Sequence, residues 1–215
     1  VNRVKVKICG VRTLEEAEAA IEAGADALGF NFWPRSPRFI APADARAIAR
    51  RVSPLVTLIG VFVNEDRERI VETASLVGLQ AVQLHGDEAP AFCNGFDSLR
   101  VIKALRVGEA FDCSVIEQYA VSMILLDTSV KGSYGGTGHR FDWRTAIEAK
   151  RYAPVMLAGG LRTENVADAI TSVRPAAIDV CSGIEAEPGK KDLRKLCEFM
   201  REVARANALL SNDID

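Results

Sequence analysis

Apolar residues recur along this chain in two alternating patterns. Short runs rich in Val, Ile, Leu and Phe at 4–9, 26–31, 56–63, 80–84, 100–104, 122–127, 154–158 and 176–181 read as β-strands. Each stops at a Gly, Asn, Asp or small polar residue. Between them, segments 13–23, 42–52, 65–76, 87–94, 111–119, 142–149, 163–171 and 190–206 carry a helical period. Thr13-Leu-Glu-Glu16 predicts a capping box at the first of these, and Pro42 suits a first helical turn. Residues 211–215 read as a frayed polar tail. Strands alternating with helices imply parallel strands joined by right-handed crossovers. Eight such units without a linker predict an α/β fold: a closed (β/α)8 TIM barrel, a single domain over 1–215. A dinucleotide-binding sheet would need G-x-G-x-x-G after its first strand, and Cys9-Gly10-Val11-Arg12-Thr13 does not supply it.

Strand parity then sorts the polar residues. In a barrel, alternate side chains point inward. The apolar set Val4, Val6 and Ile8 must pack beneath the helices, which turns Lys5, Lys7 and Cys9 into the barrel. The same rule directs Gln83 and His85, Asp127 and Asp179 inward, with Lys103 a further candidate. Buried charges must be paired or functional, because an isolated one is too costly. A lysine–aspartate network that merely fills the barrel is the plain alternative. Cys9 and Asp127 stand apart because both end their strands, at the rim where barrel enzymes place catalytic groups.

Two glycine sites share that rim. The seventh strand runs into Ala158-Gly159-Gly160-Leu161, and the eighth into Cys181-Ser182-Gly183. Bare backbone after strands seven and eight, beside a helix start, is the usual phosphate seat of this architecture. That makes Gly159, Gly160, Ser182 and Gly183 the candidate phosphate-binding residues. Loop 32–41 combines Arg35 and Arg38 with aromatics, suited to a bidentate grip on a carboxylate borne by an aromatic ring. Gly135, Gly136, Thr137 and Gly138 lie in a second long loop, flexible enough to act as a lid.

Composition narrows the partners. A formal net charge of −2 gives no reason to expect nucleic acid or an anionic membrane surface. No apolar run approaches the roughly 18 residues that span a bilayer. The five cysteines, at 9, 93, 113, 181 and 197, are scattered without C-x-x-C or metal-ligand spacing, so no metal site is expected. Free thiols fit a reducing cytoplasm.

Taken together, the motifs resemble the phosphoribosylanthranilate isomerase family. They run in order over nearly the whole chain: Lys7-Ile8-Cys9-Gly10, Ser36-Pro37-Arg38, Gly60-Val61-Phe62-Val63, Val82-Gln83-Leu84-His85-Gly86, Leu125-Leu126-Asp127-Thr128, Gly135-Gly136-Thr137-Gly138 with Phe141-Asp142-Trp143, Ala158-Gly159-Gly160-Leu161, and Asp179-Val180-Cys181-Ser182-Gly183-Ile184-Glu185 ahead of Pro188-Gly189-Lys190-Lys191-Asp192. The resemblance implies a cofactor-free Amadori rearrangement in tryptophan biosynthesis. N-(5′-phosphoribosyl)anthranilate would become 1-(2-carboxyphenylamino)-1-deoxyribulose 5-phosphate. It assigns Cys9 as general base and Asp127 as general acid, with Arg38 on the anthranilate carboxylate and His85 and Asp179 as further substrate-binding residues. The implied partner is that phosphorylated small molecule, the implied assembly a monomer or homodimer.

The chemistry sets local demands. An acid at Asp127 calls for a dry pocket or a negative neighbour. A thiolate at Cys9 calls for cationic or dipolar support, and Lys7, two residues back on the same face, is the candidate. Where this chain has Cys181, the family more often has serine or asparagine.

Three rivals bear on the reading. The histidine-pathway isomerase resembles a two-aspartate design with aspartate at the place of Cys9, and needs a phosphate seat in the first half of the barrel that this chain lacks. Indole-glycerol-phosphate synthase needs a lysine and glutamate arrangement with no match. A silent barrel binding a phosphorylated metabolite would keep the glycines but has no need of both Cys9 and Asp127.

Overall fold

The computed structural model describes residues 3–96, 98–108, 110–128 and 142–212. Eight parallel strands close in chain order: β1 (Lys5–Cys9), β2 (Ala27–Asn31), β3 (Thr57–Phe62), β4 (Ala81–Leu84), β5 (Arg100–Val107), β6 (Met123–Thr128), β7 (Val155–Leu157) and β8 (Ala177–Val180). β1 pairs with β2 on one side and β8 on the other, which seals the cylinder. Around it lie α1 (Leu14–Glu22), α2 (Pro42–Ala49), α3 (Arg67–Val77), α4 (Pro90–Cys93), α5 (Trp143–Ala149), α6 (Val166–Val173) and α7 (Leu193–Asn212). Among the described residues, no helix is long and apolar enough to cross a membrane.

The core divides as strand alternation requires. Helix-facing side chains such as Val6, Ile8, Leu28, Val82, Ile124 and Leu126 form the larger cluster. A smaller interior cluster is built from Ala27, Ile59, Ala81, Ile102, Ala104, Leu125, Met156, Ala158 and Ala177. Five of those nine are alanine, so the barrel has room for longer side chains at the same level. Lys7 uses it, in register with Ala27 on one side and Asp179 on the other.

Several elements differ from their sequence reading. Lys103 is buried but faces the helices, since Ile102 and Ala104 take the interior positions of β5. With Val101, Ile102, Ala104 and Leu105 apolar on both faces, that strand offers no parity signal. The Lys103 ammonium donates to the carbonyls of Leu84 (3.2 Å) and Gly86 (2.8 Å) and to the Glu88 carboxylate (2.7 Å). Lys5 sits on the interior face but at the open N-terminal end, exposed and paired with Asp26 at 3.2 Å.

Residues 113–118 form a 3-10 helix instead of an α-helix. α6 begins at Val166, not near Thr163, because Asn165 braces the preceding turn: its side chain accepts from Arg162 N at 2.9 Å and donates to Gly160 O at 2.9 Å. The segment from 190 does not start a helix. Lys190–Lys191 (β10) pairs antiparallel with Glu185–Glu187 (β9), and α7 follows from Leu193 to Asn212. At α1, Thr13 accepts from Glu16 N as the capping box predicts (3.1 Å), but the Glu16 carboxylate reaches Arg12 N (2.8 Å) and Lys191 N (3.0 Å).

The Glu88–Lys103 pair generates a stability prediction with a definite order. Glu88 also accepts from Asn64 N (2.8 Å) and Gly86 N (3.0 Å). Glu88→Ala strands a buried ammonium and two amides, and should cost about 3–5 kcal/mol in urea unfolding. Lys103→Met leaves the carboxylate its amide donors and should cost less. The reverse order would refute this account.

Candidate active site

The C-terminal ends of the strands open onto one cleft. Cys9, Asn31, Trp33, Arg38, Gln83, His85, Asp127, Gly159, Gly160, Asp179, Cys181 and Ser182 all line it. All five described residues expected to act on substrate, Cys9, Arg38, His85, Asp127 and Asp179, are therefore together, with the glycine loops at the same mouth. Gly135, Gly136, Thr137 and Gly138 lie outside the described residues.

Cys9 ends β1 with 7% exposure. A Cβ built on Gly29, its neighbour on β2, would lie 3.0 Å from Lys7 Nζ and 3.1 Å from the Cys9 sulfur. The bare glycine lets both groups settle over the strand. Lys7 Nζ donates to Asp179 Oδ1 at 2.8 Å, both groups buried. Burial opposes charge on Lys7, but Asp179 and the Cys9 sulfur outweigh it and hold the ammonium above its ordinary range. Asp179 moves the other way from a usual ion-paired carboxylate. Burial and then the negative charge of Cys9 push it up to about 6, against the pull of Lys7.

The Cys9 thiol is held well below its ordinary range. A hydrogen bond from Cys181 contributes most; burial opposes it, and the charge and hydrogen bond of Lys7, then the charge of Lys191, add to it. The sequence-based candidate, Lys7, contributes but is second to Cys181. Cys181 is driven upward by its bond to Cys9 and by burial, against the charge of Lys191.

Behind Cys181 stands a buried ionic group. Arg38 forms a fork onto Glu185, Nε to Oε1 at 2.9 Å and Nη2 to Oε2 at 2.7 Å. Lys191 Nζ meets Glu185 Oε1 at 3.2 Å, the Cys181 carbonyl at 3.2 Å and the Cys181 sulfur at 3.6 Å. Against the penalty of burial, Arg38 and Lys191 together hold Glu185 below the usual carboxylate range. Arg38 is thus aimed by Glu185 and lines the cleft. Glu185 and Lys191 carried no role in the sequence reading. Charged residues flanking Pro188-Gly189 look like any solvated turn; Glu185 and Lys191 are buried by their contacts with Arg38, Cys181 and Glu16, while Glu187 and Lys190 stay exposed.

Across the cleft, Asp127 is 5% exposed, one residue before the end of β6. His85 Nε2 faces its Oδ2 at 3.4 Å, while Gln83 Nε2 lies 2.7 Å from His85 Nδ1. With the Gln83 amide donating to Nδ1, the neutral ring carries its proton on the nitrogen that faces Asp127. Phe32 does not enter the cleft. It is buried and stacks on Phe62 with centroids 5.2 Å apart, leaving Trp33 as the aromatic at the mouth.

The phosphate-side loops approach closely. Gly159 and Gly160 have φ of 81° and 67°, a left-handed pair that favours glycine. A Cβ on Gly183 would fall 1.9 Å from the Leu161 carbonyl oxygen, so the loops after β7 and β8 meet backbone to backbone. Among the described residues, no group of three or more His, Cys, Asp or Glu is gathered to hold a metal ion.

The chain is similar to known proteins of one family. The family model described as N-(5'phosphoribosyl)anthranilate (PRA) isomerase matches residues 6–202. This chain belongs to the phosphoribosylanthranilate isomerase family. The N-(5'-phosphoribosyl)anthranilate isomerase of Citrifermentans bemidjiense is 48% identical over 201 residues, 94% of this chain and 97% of that protein. The Thermotoga maritima isomerase structure superposes with a TM-score of 0.88 at 44% identity, covering 94% and 99% of the two chains. A phosphoribosyl anthranilate isomerase in complex with reduced 1-(o-carboxyphenylamino)-1-deoxyribulose 5-phosphate superposes at 0.85, also 44% identical, with the same coverage. The TIM-barrel fold read from the sequence is the fold of these isomerases.

The charges around Cys9 predict opposite shifts for two variants. Lys7→Met removes a cation and should move the pH midpoint of Cys9 alkylation upward. Asp179→Asn removes an anion and frees Lys7, so the midpoint should fall. Peptide mapping of iodoacetamide adducts across a pH series measures both, and a shared direction would contradict this electrostatic picture.

Proposed function

We propose that residues 1–215 act as one domain isomerising N-(5′-phosphoribosyl)anthranilate, with Cys9 as general base and Asp127 as general acid. The observation that carries the assignment is that these two buried groups line the same cleft, which also opens onto the glycine loops after β7 and β8. Asp127 gives a proton to the furanose ring oxygen as the C1′–O bond breaks, and the anthranilate nitrogen supplies the electron pair for a Schiff base. The Cys9 thiolate then removes the C2′ proton. The resulting enolamine tautomerises to the ketone, 1-(2-carboxyphenylamino)-1-deoxyribulose 5-phosphate.

The other residues bind. The loops at Gly159, Gly160, Ser182 and Gly183 receive the phosphate on exposed backbone, as helix-start and glycine sites do. Arg38, aimed by Glu185, receives the anthranilate carboxylate; His85 and Asp179 border the sugar. Gly135, Gly136, Thr137 and Gly138 serve as the lid. The assembly is a monomer or a homodimer; a Thermotoga maritima phosphoribosylanthranilate isomerase is dimeric. A thiolate base suits the reducing cytoplasm, where we place the protein.

The test generates phosphoribosylanthranilate in situ and follows loss of its fluorescence. Cys9→Ala and Asp127→Asn should each lower kcat by about 10²–10⁴-fold, the usual worth of a general base or acid. An inactive wild type, or full activity in both variants, would refute the proposal. Arg38→Met should raise KM by about 10–100-fold, as loss of a hydrogen-bonded charge pair does; a change confined to kcat would contradict its binding role.

A further inference from the structure

We infer that Cys181 is a positioning residue for this reaction: its S–H is a built-in donor to the Cys9 sulfur, held in place by Lys191 and Glu185. The inference rests on Cys9 being the base.

The geometry begins with the strand that closes the barrel. β1 and β8 run in register, Lys7 beside Asp179 and Ile8 beside Val180, so the next step brings Cys9 level with Cys181. Both residues line the cleft. Gly10, next to Cys9 in the chain, has φ +74°, and a Cβ there would lie 3.1 Å from the Arg38 side chain and 3.2 Å from the Cys181 sulfur, so a side chain would crowd both.

Cys181 is oriented from behind. Lys191 Nζ donates to its sulfur at 3.6 Å and to its carbonyl at 3.2 Å. An ammonium directed at the sulfur occupies its lone pair and leaves the S–H to point elsewhere. It has two acceptors: the Cys9 sulfur, and Glu185 Oε1 at 3.7 Å. While Cys9 is a thiolate, it is the stronger acceptor. Once Cys9 has taken the substrate proton, the Cys181 S–H turns to Glu185. The donor follows the charge without moving a heavy atom. Lys7 also supports the thiolate, but its ammonium is shared with Asp179 at 2.8 Å.

The test titrates Cys9 by iodoacetamide across a pH series in the wild type, Cys181→Ala and Cys181→Ser, reading only the Cys9 peptide by mass spectrometry. Cys181→Ala should raise the Cys9 midpoint by about one to two pH units, the worth of a hydrogen bond to a charged group. The acid limb of kcat should move with it, with KM little changed. Cys181→Ser keeps a donor and should bring both back toward wild type. Lys191→Met, with both thiols intact, should shift the midpoint in the same direction as Cys181→Ala. An unmoved midpoint in Cys181→Ala, a serine variant no better than alanine, or a shifted midpoint with an unshifted kcat profile would each overturn the inference. Failure of the base assignment would look different: Cys9→Ala would keep its turnover, whatever the thiol titration showed.

Discussion

The buried Lys7–Asp179 pair joins the first barrel strand to the last, and the rest of the active end takes its position from that seam. Two desolvated charges at 2.8 Å gain little net stability, because taking them out of water costs about what their attraction returns. What they supply is register. A one-residue slip between β1 and β8 would turn every side chain of one strand to the opposite face. It would also leave a lysine inside an alanine-lined barrel without a partner. With the pair in place, Cys9 and Cys181 follow at the rim, two residues further along each strand. Ala27, Ala177 and Gly29 complete the arrangement by leaving space for the lysine.

The fold was legible because period and parity are local properties. Eight alternations of strand and helix pointed to the barrel. Val4, Val6 and Ile8 against Lys5, Lys7 and Cys9 sorted β1 without any structure. Legibility failed where both faces of an element are apolar, as on β5, whose Lys103 turns outward to the Glu88 loop. It also failed where a charged turn is buried by what it packs on. Glu185 and Lys191 look solvated in sequence, yet Lys191 is 5% exposed and its amide is tied to Glu16 at the start of α1. Such contacts join residues 175 positions apart, and no short-range pattern announces them.

That long tie couples the two halves of the rim. Glu16 caps the turn after Cys9 through Arg12 N and holds the hairpin of β9 and β10 through Lys191 N. The hairpin in turn presents Glu185 to Arg38, which arrives from the loop after β2. The group that aims Arg38 and the group that orients Cys181 are therefore one ionic cluster. Its pieces come from three separated segments, and it assembles only when the barrel closes.

The charge balance of this cluster bears on the proposed chemistry. Lys7, Lys191 and Arg38 face Asp179, Glu185 and an ionised Cys9, three cations against three anions on the Cys9 side of the cleft. A thiolate is thus neutralised by its surroundings before substrate enters. In the proposed base step, that thiolate takes a proton from a cationic Schiff base, and two charges become a neutral thiol and a neutral enolamine. Removing charge is favoured where water is scarce. Burial, which opposes ionising Cys9 in the resting site, therefore works in favour of the proton transfer itself. The donors beside Cys9 must offset burial only until the substrate arrives, which is a task for neighbours already fixed in the strands.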